Sequence, residues 1–444
     1  MAKNAEPALM DLVISLAKRR GFVYPSFEIY GGFAGFFDYG PYGLALKNNI
    51  KNIWWKQFVT DRDDTYGIDS VIVTKKEVLQ ASGHARGFAD MVTECEKCKR
   101  RFRVEQLTDK RQCPECEGKL GEARHFYMML ETHVGVLKND DSLAYLRPET
   151  AQGIFTNFKN IVDSFHPKLP FGIAQIGKAF RNEVAPRDFL FRLREIEQME
   201  VEYFIRPESW QDAFALWQGE MRAFIASVGI DPAKVSELEV AEADRAHYSK
   251  RTIDFEFEFP FGKKELYGLA YRTDYDLKNH AAASGIDLSY LDEETGEKLV
   301  PHVIEPSLGV DRTVLAVLLS AYREDELAGE KRTYLKLNPS VAPSKVAVFP
   351  LLRNKPGLVK RAEEIFKSLK KTVPSAIFDD NGNIGKRYRR QDEIGTPYCV
   401  TIDFETIEKD AGITVRDRDT GKQERIAEKD LASYIAEKIG TGNG

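Results

Sequence analysis

Residues 171–176, then Phe180-Arg181-Asn182-Glu183, a loop to Phe189, and Phe191-Arg192-Leu193-Arg194-Glu195 continuing to residue 205 read as two β-strands joined by a loop. Further β-type runs stand at 68–73 and 253–259, without regular alternation with helices. That order predicts an α+β domain, with an antiparallel sheet decorated by helices rather than a doubly wound parallel one. The loop gathers Arg181, Arg192 and Arg194, whose guanidinium forks match phosphate oxygens bidentately. The same residues also suit an exposed charged hairpin. There is no GxxxxGK[ST] loop and no dinucleotide fingerprint, so any nucleotide would be held by side chains. Beyond the arginines, Glu195, Glu197, Glu200 and Glu202 crowd into eight residues with Gln198 and Met199. So acidic a strand makes a poor core and an odd surface, whereas carboxylates facing a cleft suit an ammonium group or magnesium.

Outward from this centre, an amphipathic helix is expected at 5–20, a glycine- and aromatic-rich loop at 30–43, and a strong helix at 44–59. Glu305-Pro306-Ser307-Leu308-Gly309-Val310-Asp311-Arg312 ends an apolar run in a turn and opens a helix. Arg312 there would either hold an anion at the helix N-terminus or be a solvated residue on a capped core helix. The clearest boundary is 338–343, with two prolines. After it, strands at 345–352, 397–402 and 413–416 and helices at 355–371 and 427–439 describe a compact α/β domain. The expected organisation is a main domain at 1–340, with insertions at about 84–143 and 243–297, and a second domain at 341–444.

Composition sets bounds. The 444 residues are enough for about three domain-sized cores, and 43% hydrophobic with 30% charged residues is neither disordered nor membranous. The longest apolar run, 314–321, is too short for a bilayer, and no secretory signal is visible. A net charge of −5 excludes a protein that coats nucleic acid through bulk charge. It conceals a segregation, since residues 341–444 carry 19 Lys plus Arg against 16 Asp plus Glu. Four of the five cysteines form two CxxC pairs, Cys95 and Cys98 with Cys113 and Cys116, 14 residues apart. Four thiolates in this pattern suit tetrahedral zinc, the alternatives being chance cysteines or a labile disulfide pair. Cys399 reads as an inert core residue, and sparse cysteine suits a reducing cytoplasm.

Arg181-x-Glu183 with its downstream arginine, and Gly309-x-Asp311-Arg312, resemble motifs 2 and 3 of the class II aminoacyl-tRNA synthetases. More narrowly, a series of strings resembles the dimeric glycyl-tRNA synthetases. They are Phe37-Asp38-Tyr39-Gly40-Pro41, Ala81-Ser82-Gly83-His84, Arg147-Pro148-Glu149-Thr150-Ala151-Gln152-Gly153, Glu197-Gln198-Met199-Glu200 and Glu305-Pro306-Ser307. The stretch from Arg387 to Pro397 completes the series, and the resemblance covers nearly the whole chain.

The resemblance implies a catalytic domain with a cysteine-bearing insertion and an anticodon-binding tail. It implies a cytoplasmic homodimer acting on glycine, ATP with magnesium, and tRNA(Gly), with structural zinc and no membrane or editing domain. Arg181, Glu183 and Arg312 would be catalytic. ATP would lie along Arg181, Asn182, Glu183, Phe191, Arg192, Leu193, Arg194, Glu195, Ile196, Glu265, Leu266, Gly309, Val310, Asp311 and Arg312. Glycine would be met by Glu149, Glu197 and Glu305, within a wider set of Arg103, Ile196, Gln198, Met199, Glu200, Pro306, Ser307, Leu308 and Gly309. One departure stands out: where the resemblance places an aromatic ring against adenine, this chain has Ile196. Lys386-Arg387-Tyr388-Arg389-Arg390 is either a solvated basic turn or, as the resemblance implies, a tRNA contact. A non-catalytic accessory protein of the same fold is the alternative, but the phosphate-binding arginines and ammonium-binding glutamates are all retained.

Overall fold

The computed structural model describes residues 8–440 apart from Ala328 and Asp410. The two strands that open the sequence argument lie side by side as Phe171–Phe180 and Glu195–Ile205, antiparallel, with Phe171 opposite Phe204 and Phe180 opposite Glu195. They sit in a seven-stranded sheet ordered Val235–Glu239, Arg251–Phe259, Gly262–Thr273, His302–Gly309, Glu195–Ile205, Phe171–Phe180, Thr65–Gly67. Every neighbouring pair is antiparallel except the last, where Thr65–Gly67 runs parallel to Phe171–Phe180.

The two-residue period of a strand explains how this sheet is both acidic and buried. Met199, Val201, Tyr203 and Ile205 face one side, into a core shared with the helices Leu9–Arg19, Pro41–Trp55, Trp210–Ser227 and Val310–Ala321. Phe204 faces the other side, against the helices Ala151–Phe165 and Tyr275–Ser284, and Glu200 and Glu202 share that face.

Two expectations change here. The run 68–73 is not a strand; short strands flank it at Thr65–Gly67 and Val73–Lys75. Between them the Ser70 carbonyl accepts from the buried Arg147 guanidinium at 2.7 Å, and of this run Ile68 bonds across to the Ala174 carbonyl at 2.9 Å. Nor is 243–297 a peripheral insertion, because Arg251–Phe259 and Gly262–Thr273 are inner strands of the main sheet. Their charged composition is an alternation, with Ile253, Phe255, Phe257 and Phe259 buried between polar neighbours. Only the helix Tyr275–Ser284 and the hairpin Tyr290–Leu291/Lys298–Leu299 are appended. The cysteine-bearing arm carries a three-stranded sheet with Ala89–Glu94 between Arg101–Arg103 and Arg124–Tyr127.

The tail has its own core beneath a five-stranded sheet ordered Ile377–Phe378, Val346–Pro350, Tyr398–Ile402, Ile413–Asp417, Gln423–Ile426. The basic string proves to be part of a helix, Ile384–Ile394, and most of it is used internally. Arg387 is 1% exposed and donates to the carbonyls of Asp380 and Gly382 at 2.8 and 2.7 Å. Tyr388 bonds Thr401 at 2.6 Å, Arg390 pairs with Asp379 at 2.7 Å and Arg389 with Glu330 at 2.8 Å. Lys386 alone of the five stays fully exposed.

The tail is fastened to the main body by buried charge. Asp392 takes both Arg416 nitrogens at 2.8 and 3.0 Å and also faces Arg332, 3.4 Å away on the hairpin Tyr322–Leu327/Glu330–Leu335. Removing Asp392 strands Arg416 without a counter-charge, while Arg332 keeps Asp325 at 2.6 Å. Asp392→Ala is therefore expected to destabilise the chain by about 3–5 kcal/mol in urea unfolding. It should also expose the connection at 336–345 to protease, and an unchanged midpoint would show that the network contributes nothing.

Candidate active site

The carboxylate-bearing face of the sheet, the cysteine-bearing arm and the loop after Phe180 enclose a cavity of about 480 Å³. One end is rich in guanidinium groups. Arg181 donates to the Pro148 carbonyl at 3.0 Å and lies 5.5 Å over the Phe88 ring. Arg103 bridges Glu183 and Asp90 at 2.8 and 2.7 Å, and Arg192 stands 3.6 Å from Glu183. Arg312 pairs with Glu265 at 3.2 Å and lies 4.5 Å over the Phe191 ring. Burial, reinforced by Arg103, Arg187 and Arg312, pulls Arg192 below the usual guanidinium range. Arg312 holds Glu265 below the ordinary carboxylate range. Such a crowd of cations over an open ring is suited to a polyanion with an aromatic base.

The other end is acidic. Glu200 accepts from Ser307 Oγ at 2.5 Å and from Thr150 Oγ1. Glu149 meets His84 Nε2 at 3.2 Å and Gln152 Nε2 at 2.9 Å. Glu305 pairs with Arg272 at 2.8 Å, and Arg272 also holds Asp276 through two bonds of 2.8 and 2.9 Å. Burial pushes Glu149 up, but His84 and Arg272 more than reverse it, so it stays below the ordinary carboxylate range. Glu305 goes the other way. Burial, with Glu200 and Glu149 adding, pushes it up to about 8 despite Arg272. Glu202, fully buried behind this group, has no hydrogen-bond partner for either oxygen among the described residues; burial and Glu305 push it well up.

The pleat sorts the expected residues. Glu197 points to the opposite side from Glu200, where Lys47 and Lys51 hold it at 2.7 and 3.1 Å. It reaches only the cavity wall, with its charge already neutralised, so Glu200 is the strand's contribution to the acidic end. Arg103 belongs to the cationic end, not to the acidic one where glycine was expected. Arg194 does not line the cavity; it clasps the loop, donating to the carbonyls of Glu183 and Ala34 at 3.0 Å each. Glu195 pairs outward with Lys178 at 2.8 Å. Met199, Leu308 and Val310 are core, and Pro306 sits within the sheet opposite Leu269.

Asn182 contributes a backbone bond to Met128 O at 2.7 Å. Leu193, Ile196, Gln198, Leu266 and Gly309 line the cavity beside Phe191, and Asp311 reaches it while accepting from Tyr39 at 2.6 Å and from the Glu197 amide at 2.9 Å. Phe191, beneath Arg312, puts an aromatic ring in the cavity wall near Ile196.

In the arm, the Cys95 and Cys116 sulfurs are 3.5 Å apart and those of Cys98 and Cys113 3.7 Å apart. All four lie within 4.8 Å of one another. These gaps are far too long for disulfides, and near the roughly 3.8 Å edge of a tetrahedron with zinc–sulfur bonds of about 2.3 Å. The Cys98 backbone N–H, 3.4 Å away, lowers the Cys95 thiol, while burial and the neighbouring sulfurs raise Cys98.

A family model described as "tRNA synthetase class II core domain (G, H, P, S and T)" matches residues 134–322, and one described as "Anticodon binding domain" matches residues 345–438. A glycine–tRNA ligase of Thermobifida fusca (strain YX) is 48% identical, over 98% of this chain and 99% of its own. One from Caldanaerobacter subterraneus subsp. tengcongensis is 46% identical, over 97% and 98%. One from Borreliella burgdorferi is 47% identical, over 97% of each chain. The chain belongs to the glycine–tRNA ligase family.

In this family member, sequence reading missed Arg272, 1% exposed and covered by the Tyr248 ring at 3.8 Å. A signal was present, because Arg272 closes an apolar strand and Asp276 follows four residues later. His84 was quoted within a string but given no role, and Asp254, which lines the cavity and is pushed up to about 7 by burial and by Glu265, looked like an ordinary strand residue.

The raised carboxyls carry a pH signature. Glu305 titrates near 4.5 when unfolded and about 8 when folded, so the native state keeps a proton that the unfolded chain releases. Stability from this group is full in acid and is lost as pH rises from about 4.5 through about 8. Glu305→Gln should therefore show a shallower fall in melting temperature between about pH 5 and 8.5 than the parent. Parallel curves would refute that assignment.

Proposed function

We propose that the chain is a glycine–tRNA ligase, activating glycine with ATP and passing it to the 3′ end of tRNA(Gly). The observation that carries this reading is one cavity with two opposite ends, an acidic pocket of Glu149, Glu200 and Glu305 and a cationic shelf of Arg181, Arg192 and Arg312. The ammonium of glycine fits the first, with Ser307 beside it. The phosphates of ATP fit the second, with adenine taking the place over the Phe191 ring that Arg312 now covers. A glycine carboxylate oxygen attacks the α-phosphorus, the bond to the β-phosphate bridging oxygen breaks, and glycyl-adenylate and pyrophosphate result. Arg181 stabilises the charge that builds on the α-phosphate oxygens. A ribose hydroxyl of the tRNA terminus then takes the glycyl group and releases AMP. Glycine is the smallest amino acid, so a cramped pocket excludes competitors by size.

Magnesium would accompany ATP and screen its phosphates. Zinc would be held by Cys95, Cys98, Cys113 and Cys116 as a structural ion stiffening the arm that carries Arg103. A homodimer is supported by the exposed apolar cluster Phe27, Ile29, Tyr30 and Phe33, 57–89% exposed, which offers a second copy an apolar surface. No helix among the described residues is long and apolar enough to cross a membrane, and we place the protein in the cytoplasm. The tail domain would receive the anticodon stem.

ATP–pyrophosphate exchange tests the reading. Glycine should support exchange where alanine and serine do not, and Arg181→Ala should reduce the rate by at least about 100-fold. Exchange with no amino acid, or with alanine or serine alone, would overturn it. Elemental analysis should find one zinc per chain, lost in Cys113→Ser together with several degrees of melting temperature. A metal-free protein of undiminished stability would refute the structural zinc.

A further inference from the structure

The string Ala81-Ser82-Gly83-His84 has no part in the chemistry derived so far, yet it reaches the acidic pocket. Gly83 sits at φ +86°, a left-handed conformation that L side chains rarely adopt. A Cβ there would also approach His247 Nε2 to 3.1 Å and the Tyr275 hydroxyl to 3.3 Å. This turn lets its two flanking side chains meet, with Ser82 Oγ 2.8 Å from His84 Nδ1. The other ring nitrogen, Nε2, is 3.2 Å from Glu149 Oε2. Ser82, His84 and Glu149 are 1%, 6% and 7% exposed, so water does not substitute for either bond.

An ionised carboxylate only accepts, so Nε2 donates to Glu149, while the Ser82 hydroxyl, also 3.3 Å from the Leu79 carbonyl, meets Nδ1 as donor or as acceptor according to the ring's charge. The second Glu149 oxygen accepts from Gln152 Nε2 at 2.9 Å, and Gln152 Oε1 is in turn 2.7 Å from His280 Nε2. Glu149 is thus gripped at both oxygens, and its plane is fixed by groups that do not themselves line the cavity.

We propose that His84, oriented by Ser82, is the positioning residue that aims the Glu149 carboxylate at the ammonium group of the amino-acid substrate. The inference rests on the ligase reading and deepens it. His84 touches no substrate; it acts by keeping Glu149 from rotating toward Gln152 and Arg272, so its loss falls on the amino-acid side of the cavity alone. Supporting residues of this kind commonly carry 10- to 100-fold effects on the group they orient.

The test is glycine-dependent ATP–pyrophosphate exchange on the full chain, with KM for glycine and for ATP measured separately. His84→Ala should raise the glycine KM by about 10- to 100-fold while the ATP KM stays within about twofold. His84→Gln keeps an amide N–H for Glu149 and a carbonyl for Ser82, and should restore the glycine KM to within about threefold of the parent. Equal rises in both KM values, a His84→Gln variant no better than His84→Ala, or an unchanged glycine KM would each overturn the proposal. If His84→Ala does not fold, Ser82→Ala decides, with a rise of about threefold or more expected in the glycine KM alone. No change there overturns the proposal. A parent protein inactive with glycine would sink the ligase reading itself, whereas an active parent with an indifferent His84→Ala sinks only this inference.

Discussion

Arg272 is the interaction on which the rest of the site depends. Alternation along Glu195–Ile205 buries its odd-numbered apolar residues from Met199 onward on one face and thereby sends Glu200 and Glu202 to the other. Glu305 arrives from the neighbouring strand His302–Gly309, and Glu149 from the turn before Ala151–Phe165. Uncompensated, each buried carboxylate would cost several kcal/mol. One guanidinium, 1% exposed, touches Glu305 and Asp276 and lies under Tyr248. A single cation does not neutralise so many anions, so the surplus is met by protonation, at Glu305 and Glu202, while Glu149 stays charged against His84.

The cationic shelf solves the mirror problem by different means. Arg103, Arg192 and Arg312 are each matched by a carboxylate, Glu183 or Glu265, at distances from 2.8 to 3.6 Å. Arg181 has only a carbonyl and an aromatic face. It is therefore the guanidinium of the set with least to give up on meeting a phosphate, which agrees with the central role the resemblance assigns it. Arg194 illustrates the opposite case. Its donors are spent on two backbone carbonyls, so it shapes the loop that presents Arg192 instead of meeting a ligand.

Much of this was legible from sequence, for a physical reason. The antiparallel sheet and the α/β tail follow from periodicities and prolines that act locally, and the CxxC pairs from a ligand spacing that is local too. The arginine loop and the Glu305–Arg312 string stood out because charge is costly beside apolar runs, although the expected turn proves to be a strand, His302–Gly309, running straight into the helix Val310–Ala321. What could not be read was which side of a pleat each charge takes and what meets it there. Glu197 and Glu200 look alike in sequence and differ only in facing Lys47 or Ser307. The basic string at 386–390 reads as a solvated turn or a tRNA contact, and its internal partners Asp379, Thr401 and Glu330 lie 11, 13 and 59 residues from the side chains they bind. The segment 243–297 looked peripheral because acidic residues alternate with buried aromatics on inner strands.

Glycine offers no side chain to grip, so orientation must come from its two charged ends. The cavity supplies that from its own field. On the proposed reading its ammonium would be drawn to Glu149 and Glu200, and its carboxylate repelled from them toward Arg181. Reversed binding would set carboxylate against carboxylates at short range, a like-charge contact costing several kcal/mol. The arrangement therefore favours the attacking oxygen at the phosphate end before ATP is held in line, and converts charge complementarity into alignment.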